Sequence, residues 1–122
     1  MLIAAPVLQS SKGLFLNKHF GRSPYIALIE IGDSNYKMTQ IIEDPYWSRR
    51  REERSRIIDI ILSHKIDAVL AIELGSGAFY KLTENDVKIY YIDTKQPIPL
   101  DEALRKFMSG EGSGLNDIFN YL

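Results

Sequence analysis

Residues 18–24 carry the side chains with the clearest potential for chemistry. The segment reads Lys-His-Phe-Gly-Arg-Ser-Pro, so an imidazole at His19 and a guanidinium at Arg22 lie on either side of Gly21. A neutral imidazole can ligate a metal, and a planar guanidinium can hold an anion through paired hydrogen bonds. The same composition is also typical of a surface loop in which the histidine stabilises a turn. One histidine does not define a site, so both interpretations stay open.

A second segment of interest is Gly75-Ser76-Gly77. It follows an apolar stretch at 67–72 and precedes a short predicted helix at 78–83. Glycines let backbone N–H groups approach an anion, and the start of a helix favours negative charge. The third glycine of the dinucleotide fingerprint and the Lys-Ser/Thr of the P-loop are missing, which excludes both nucleotide motifs. A tight strand-to-helix turn is the alternative interpretation.

Residues 49–56, Arg-Arg-Arg-Glu-Glu-Arg-Ser-Arg, form the strongest local concentration of charge. We favour a solvated helix face, because Glu52 and Arg56 are spaced i,i+4. Three arginines in a first helical turn nevertheless oppose the helix dipole, and an anion or acidic partner would compensate them. The aromatic neighbours Tyr46 and Trp47 suit a binding patch.

Two further titratable residues are expected to be structural. His64 falls in the last turn of a predicted helix, where a cation is favourable. Glu73 follows a predicted strand, but a catalytic carboxylate needs an acid partner that the sequence does not identify. We therefore expect Glu73 to have a structural or hydrogen-bonding role.

The composition is that of one folded domain. Of the 122 residues, 45% are hydrophobic and 25% are charged, which is ordinary for globular proteins. Fifteen Lys plus Arg against sixteen Asp plus Glu give a net charge of -1, so we expect no nucleic-acid partner. The absence of cysteine excludes disulfides and thiolate metal ligands. The longest apolar run, residues 1–8, is too short to span a membrane and lacks the features of a secretion signal. A cytoplasmic protein without a membrane partner is expected.

Hydrophobic patterning predicts an α/β chain. A turn at 32–35 makes its neighbouring strands an antiparallel hairpin, and strand–helix alternation in the second half predicts parallel strands. Loops that leave central parallel strands meet at the carboxyl edge of the sheet, so the His19 loop and Gly75-Ser76-Gly77 should converge there. The predicted strands are 2–7, 25–31, 36–43, 67–72 and 87–92, and the predicted helices are 48–64, 78–83 and 100–108. Residues 9–18 are predicted as a loop, in which a short extended piece at 14–16 stays open.

Four segments together resemble a known family. They are Ile-Ala-Ala-Pro-Val at 3–7, His-Phe-Gly-Arg-Ser-Pro-Tyr at 19–25, Gly-Ser-Gly-Ala-Phe at 75–79 and Asp-Glu-Ala-Leu at 101–104. The chain resembles the dinitrogenase iron–molybdenum cofactor biosynthesis family, also called nitrogenase accessory factor-like, over about residues 1–110. The resemblance implies a three-layer α/β/α ribonuclease H-like fold. Its five-stranded mixed sheet would have the order 3-2-1-4-5 with strand 2 antiparallel.

The resemblance also implies a function. Such a protein is a small, non-catalytic carrier that binds an iron–sulfur-type or iron–molybdenum-type cluster, or its precursor, and passes it from a donor protein to an acceptor protein. The family's binding histidine corresponds to His19, which is the expected metal ligand. Without cysteine, binding would rely on His19, Arg22 and backbone amides, and so would be transient. The expected cofactor-binding residues are His19, Phe20, Gly21, Arg22, Gly75, Ser76 and Gly77.

The residues are also compatible with two other functions, to different degrees. One is a regulatory or protein-interaction module with an anion-binding site and no metal cluster, which would use the arginine-rich segment and the C-terminal tail. The other is a ribonuclease H-like nuclease, which is disfavoured because the first strand, residues 2–7, has no carboxylate to hold catalytic metals.

The C-terminal tail is expected to be separate from the domain. Residues 111–122 begin with a flexible Glu-Gly-Ser-Gly hinge and continue with apolar residues at 115, 118, 119 and 122. An exposed apolar stripe usually finds a partner surface. We expect the tail to dock on its own domain or on a second copy, which leaves a homodimer open.

Overall fold

The computed structural model describes residues 1–110, and the predicted hinge and tail at 111–122 lie outside the described residues. The α/β class is confirmed. The strands are β1 (Leu2–Ser10), β2 (Gly13–Leu16), β3 (Tyr25–Ile31), β4 (Tyr36–Glu43), β5 (Ala68–Ala71), β6 (Lys88–Tyr91) and β7 (Ile98–Pro99). The helices are α1 (Arg51–Arg54), α2 (Arg56–Ser63), α3 (Ser76–Glu84) and α4 (Leu100–Met108), and a 3-10 turn spans Phe20–Arg22.

The central strand of the sheet is β1. It pairs antiparallel with β3 and parallel with β5, and its second half pairs antiparallel with β2. The predicted hairpin of β3 and β4 is confirmed and places β4 at one edge of the sheet. On the other side β6 lies parallel to β5, and β7 extends the sheet from β2. The carboxyl ends of β5 and β6 therefore meet at one edge.

The expected five-stranded mixed sheet in the order 3-2-1-4-5 is wrong. Within residues 1–110 the sheet has seven strands, and four of its six pairings are antiparallel. The first strand continues through Pro6 to Ser10 and turns back as β2, which includes the short extended piece at 14–16 that stayed open within the predicted loop. A proline argues against a central strand, and β2 and β7, with four and two residues, are too short for periodicity to reveal.

The buried side chains form two clusters, one on each face of the sheet. On one face Ile3, Ala5 and Val7 of β1 pack with Leu104 of α4. On the opposite face the core consists of side chains from α2, α3 and the sheet, together with Phe20. Strands that are buried on both faces are uniformly apolar, which is why β1 and β5 were predicted from the sequence.

The helix predicted at 48–64 is shorter and interrupted. It begins at Arg51, with Arg50 as the N-cap residue, three residues later than predicted. Ser55 separates α1 from α2, and its hydroxyl donates to the carbonyl oxygen of Glu52 at 2.8 Å. A serine side chain that bonds to the preceding turn competes with the helical backbone pattern. None of the helices described within residues 1–110 is long and apolar enough to cross a membrane.

Candidate functional site

The loop that carries His19 is fixed at both ends by bonds within the chain. The backbone N–H of Asn17 donates to the carbonyl oxygen of Pro6 at 2.8 Å, and the buried hydroxyl of Ser23 lies 2.8 Å from the carbonyl oxygen of Val7. Between these points Phe20 is only 1% exposed and packs in the core. The loop is therefore held at three positions, while His19 and Arg22 are exposed.

The His19 loop meets the segment that follows β5. His19 forms a parallel bridge with Glu73, and the backbone N–H of Glu73 donates to the carbonyl oxygen of Lys18 at 3.2 Å. Glu73 lies two residues before Gly75, so the loop and the Gly-x-Gly turn are side by side. The convergence expected from the strand order is confirmed.

Glu73 also contacts the side chains of that loop. Its Oε2 lies 3.4 Å from Nδ1 of His19, and its Oε1 lies 3.7 Å from Nζ of Lys18. The His19 and Glu73 side chains are 57% and 53% exposed, so these contacts contribute at most about 1 kcal/mol to stability. Their consequence is orientation: with Nδ1 facing a carboxylate, Nε2 is the nitrogen that a ligand can reach.

A resident metal ion does not fit this donor set. Within residues 1–110, no group of three or more His, Asp and Glu side chains is placed to hold a metal. A protein site that fixes a bare transition-metal ion normally supplies three or four ligands. His19 can supply one ligand, so a metal bound here must bring most of its own ligands.

An open cleft of about 640 Å³ lies where the two loops meet. Of the seven predicted site residues, the five that line it are His19, Phe20, Gly21, Arg22 and Gly75. Gly77 instead lines a neighbouring hollow of about 170 Å³, which shares Gly21, Arg54 and Gly75 with the cleft. Ser76, the first residue of α3, lines neither.

The glycines of the cleft have a different role from the glycine in the β1–β2 turn. Gly13 has a φ of +105°, which only glycine adopts without strain. Gly75 has a φ of −68°, and a Cβ built on Gly21 or Gly75 would meet no described atom within 4 Å. Neither Gly21 nor Gly75 is therefore required by the backbone or by packing. Their lack of a side chain keeps the cleft open.

The cleft is rich in hydrogen-bond donors. Arg22 and Arg54 line it, against the one carboxylate of Glu73 among its lining residues. Burial raises the pKa of Tyr91, which also lines the cleft, so its hydroxyl stays protonated. Within the described chain, α3 has no acidic residue in its first turn and no side chain that caps its N-terminus. The free N–H groups of that turn add positive potential.

Three polar lining residues were not predicted as part of the site. Arg54 belongs to the arginine-rich run, but the sequence favoured a solvated face for all of it. Glu73 was assigned a structural role because its contact with His19 depends on pairing across the sheet. Tyr91 is the last residue of β6. The feature that could have identified it is its position at the end of a parallel strand beside β5, at the edge where ligands bind.

The fold and the cleft define a class of protein. In α/β proteins, an open cleft at the carboxyl ends of the parallel strands is the usual place for a ligand. The chain belongs to the family described as dinitrogenase iron-molybdenum cofactor, whose model matches residues 1–110. Among curated protein sequences, none matches the chain.

Solved structures share this fold. The apo form of the orange protein from Desulfovibrio gigas has a TM-score of 0.74 at 12% identity, covering 92% of this chain and 90% of that one. A candidate dinitrogenase from Methanocaldococcus jannaschii has a TM-score of 0.69 at 16% identity, covering 94% of each chain. A candidate NifB protein from Thermotoga has a TM-score of 0.68 at 19% identity, covering 93% of this chain and 92% of that one. At these identities the likeness concerns the fold.

Proposed function

We propose that this protein is a non-catalytic carrier that binds an anionic iron–sulfur-type cluster, or a precursor of the iron–molybdenum cofactor, in the cleft. The observation that carries the proposal is the meeting of His19, Arg22, Arg54 and Gly75, the N-cap residue of α3, in one open cleft. Membership of the family named for the iron–molybdenum cofactor supports this choice of cargo.

The donor set suits a cluster better than a bare metal ion. A metal–sulfur cluster brings its own sulfide ligands and carries net negative charge, so the protein needs to supply few metal ligands and many positive groups. Nε2 of His19 would ligate one metal of the cluster. Arg22, Arg54 and the N–H groups of α3 would stabilise its negative charge.

Transfer rather than storage follows from the exposure of these groups. The His19 side chain is 57% exposed, and the sequence contains no cysteine that could fix the cluster with a thiolate. Contacts to exposed groups are individually weak. We therefore propose a cytoplasmic protein that receives its cargo from a donor protein, releases it to an acceptor protein and catalyses no reaction itself.

Anaerobic reconstitution with iron and sulfide, with and without molybdate, tests this proposal. Charge-transfer absorbance and bound metal per chain would be measured for the wild type, His19→Ala and His64→Ala. His64 is the matched control, because it is the only other histidine and lies at the end of α2, outside the lining of the cleft. We expect the wild type and the control to take up metal alike. If the wild type acquires neither metal nor absorbance under any of these conditions, the carrier function is wrong.

A second candidate is an anion-binding regulatory module without a cluster. The hollow that adjoins the cleft favours it, because Arg51, Arg54 and Lys81 line that hollow. In this case iron and sulfide would not bind, whereas a simple polyanion such as citrate would bind to the wild type. Substitution of Arg54 by Gln would weaken such binding, and His19→Ala would not.

A further inference from the structure

The two faces of the sheet are covered unequally. On one face α2 and α3 pack side by side, and Lys81 of α3 forms an ion pair with Asp59 of α2 at 2.6 Å. On the opposite face, α4 is the only helix within residues 1–110 that contributes to the core. We call this the α4 face.

Edge strand β4 leaves an apolar strip on the α4 face. Three residues of β4 pair with residues of β3 whose side chains belong to the core on that face. The pairs are Tyr36 with Ile31, Met38 with Ile29, and Ile41 with Ala27. A shift of register between Leu28 and Ile29 lets Met38 and Ile41 share a face although they are three residues apart. Gln40, paired with Leu28, lies on the opposite face.

The strip is exposed and borders a groove. Met38 is 41% exposed and Ile41 is 46% exposed. A groove of about 360 Å³ between β4 and α4 is lined mostly by apolar side chains, among them Leu14, Ile29, Met38 and Leu104. A single exposed apolar residue is ordinary, whereas a continuous strip beside an apolar groove is typical of a docking surface.

The chain leaves α4 beside the beginning of this strip. Met108 and Ser109 line a hollow together with Tyr36 and the β3–β4 turn. Gly110 then adopts a φ of +84°, the left-handed conformation that typically ends a helix and redirects the chain. The described part of the chain therefore ends near Tyr36.

The sequence of those twelve residues matches the strip. Leu115, Ile118, Phe119 and Leu122 are spaced i, i+3, i+4, i+7, which puts all four on one face of a helix. Five residue steps from Gly110 to Leu115 reach at most about 17 Å, and the strip from Tyr36 to Ile41 is also roughly 17 Å long. A helix of eight residues is about 12 Å long, so it fits along the strip.

We propose that the apolar side chains of residues 115–122 of the same chain cover the strip of Tyr36, Met38 and Ile41. The short connection favours the chain's own tail over that of a second copy, because it gives a high effective concentration.

Disulfide trapping tests this docking, since the chain has no native cysteine. Met38→Cys combined with Phe119→Cys should form an intramolecular disulfide under mild oxidation at least ~10-fold faster than the control pair Gln40→Cys with Phe119→Cys. Equal rates for the two pairs would overturn the proposal. Crosslinked dimers whose yield rises with protein concentration would assign the strip to a second copy and would also overturn it.

A truncation after Gly110 gives an independent readout that needs no substitution in the sheet. Hydrogen exchange of the β4 amides and binding of an apolar dye would be compared with the full chain. We expect at least a twofold rise in dye binding and faster exchange in β4. Identical dye binding and exchange in the two proteins would contradict docking. The strip lies away from the cleft, so cluster uptake is expected to be the same for both.

Discussion

Two polar clusters at different places in the molecule are each built around one carboxylate, Asp101 or Glu73. They differ in how closely the neighbouring side chains contact that carboxylate. Asp101 of α4 accepts hydrogen bonds from the Tyr36 hydroxyl and from the Arg105 guanidinium. These bonds hold the pKa of Asp101 below its ordinary value of 3.8 and raise the pKa of Tyr36 and of Arg105. This cluster joins β4 to α4.

The other cluster is looser. Glu73 lies 3.4 Å from the His19 imidazole and 3.7 Å from the Lys18 ammonium group, and its partners line or border the open cleft. A carboxylate that accepts hydrogen bonds from two side chains ties those side chains together, whereas one in looser contact leaves its partners available to a ligand. Substitutions in the two clusters should therefore affect different measurements.

The largest expected effect is on binding. His19→Ala should weaken cluster binding at least ~10-fold, which corresponds to about 1.4 kcal/mol, and should leave the Tm nearly unchanged because the side chain is exposed. Metal titration followed by absorbance, with thermal unfolding in parallel, measures both. Unchanged affinity in His19→Ala would remove this residue from the site.

Substitutions of two glycines should likewise affect different measurements, one binding and the other stability. Gly75→Val places a side chain in open space, so it should reduce cluster binding about 3- to 10-fold, equivalent to about 0.7–1.4 kcal/mol, with little change in stability. Gly13→Ala should cost about 1 kcal/mol of unfolding free energy, because alanine is strained at a φ of +105°. Binding of the cluster to Gly13→Ala should be unchanged. A Gly75→Val protein that binds normally would show that the turn does not face the cargo.

A third carboxylate, Asp44, should make the folded state less stable as the pH rises, which is the opposite of what we expect for Asp101. It is 1% exposed, its Oδ1 accepts from the N–H of Tyr46 at 2.8 Å, and its Oδ2 has no hydrogen-bond partner among residues 1–110. Burial raises the pKa of this group, so its ionisation destabilises the folded state as the pH rises above 3.8.

Asp44→Asn keeps an oxygen for Tyr46 and removes the buried charge. We expect this variant to be more stable than the wild type at pH 7 by less than about 1 kcal/mol. The gain should shrink as the pH falls towards 3.8, where the wild-type carboxyl is protonated. Denaturant unfolding over this pH range measures the difference, and a variant that is less stable at pH 7 would contradict the assignment.

The smallest expected effect is that of Asp101→Asn. Because the pKa of Asp101 is lowered in the folded state, its contribution to stability is present above pH 3.8 and is lost as the pH falls through the lowered pKa. The variant should show a small decrease in Tm at pH 7 that shrinks as the pH falls below 3.8, with unchanged cluster binding. Weaker binding in Asp101→Asn would break the distinction between the two clusters.

The sequence predicted what depends on local pattern. The uniformly apolar residues of β1 and β5 and the turn between β3 and β4 were sufficient to place the central strands, the edge hairpin and the meeting of two loops. Strand β7 was not predicted, and for β2 the sequence offered only a short extended piece at 14–16 within a loop. Both strands are short and depend on pairing with each other and with β1.

The polar environment of the candidate site depends on contacts between distant parts of the chain. The Glu73–His19 contact joins residues from different loops, and Arg54 reaches the cleft only because α1 packs near the Gly-x-Gly turn. No local periodicity carries this information. The residue types alone therefore indicated His19 and Arg22 as site residues, whereas Arg54 and Tyr91 could be assigned to the site only from the fold.

The anchoring of the His19 loop has a consequence for kinetics. Its ends are held by bonds from Asn17 and Ser23 to the backbone of β1, and its middle is held by buried Phe20. A loop that is already ordered loses little conformational entropy when cargo arrives. Association should then proceed at the rate of diffusional encounter with an oriented patch, and dissociation should depend only on the contacts that are broken. In a hand-over between two proteins, the acceptor would need to compete for those few contacts and would not have to wait for a loop to open.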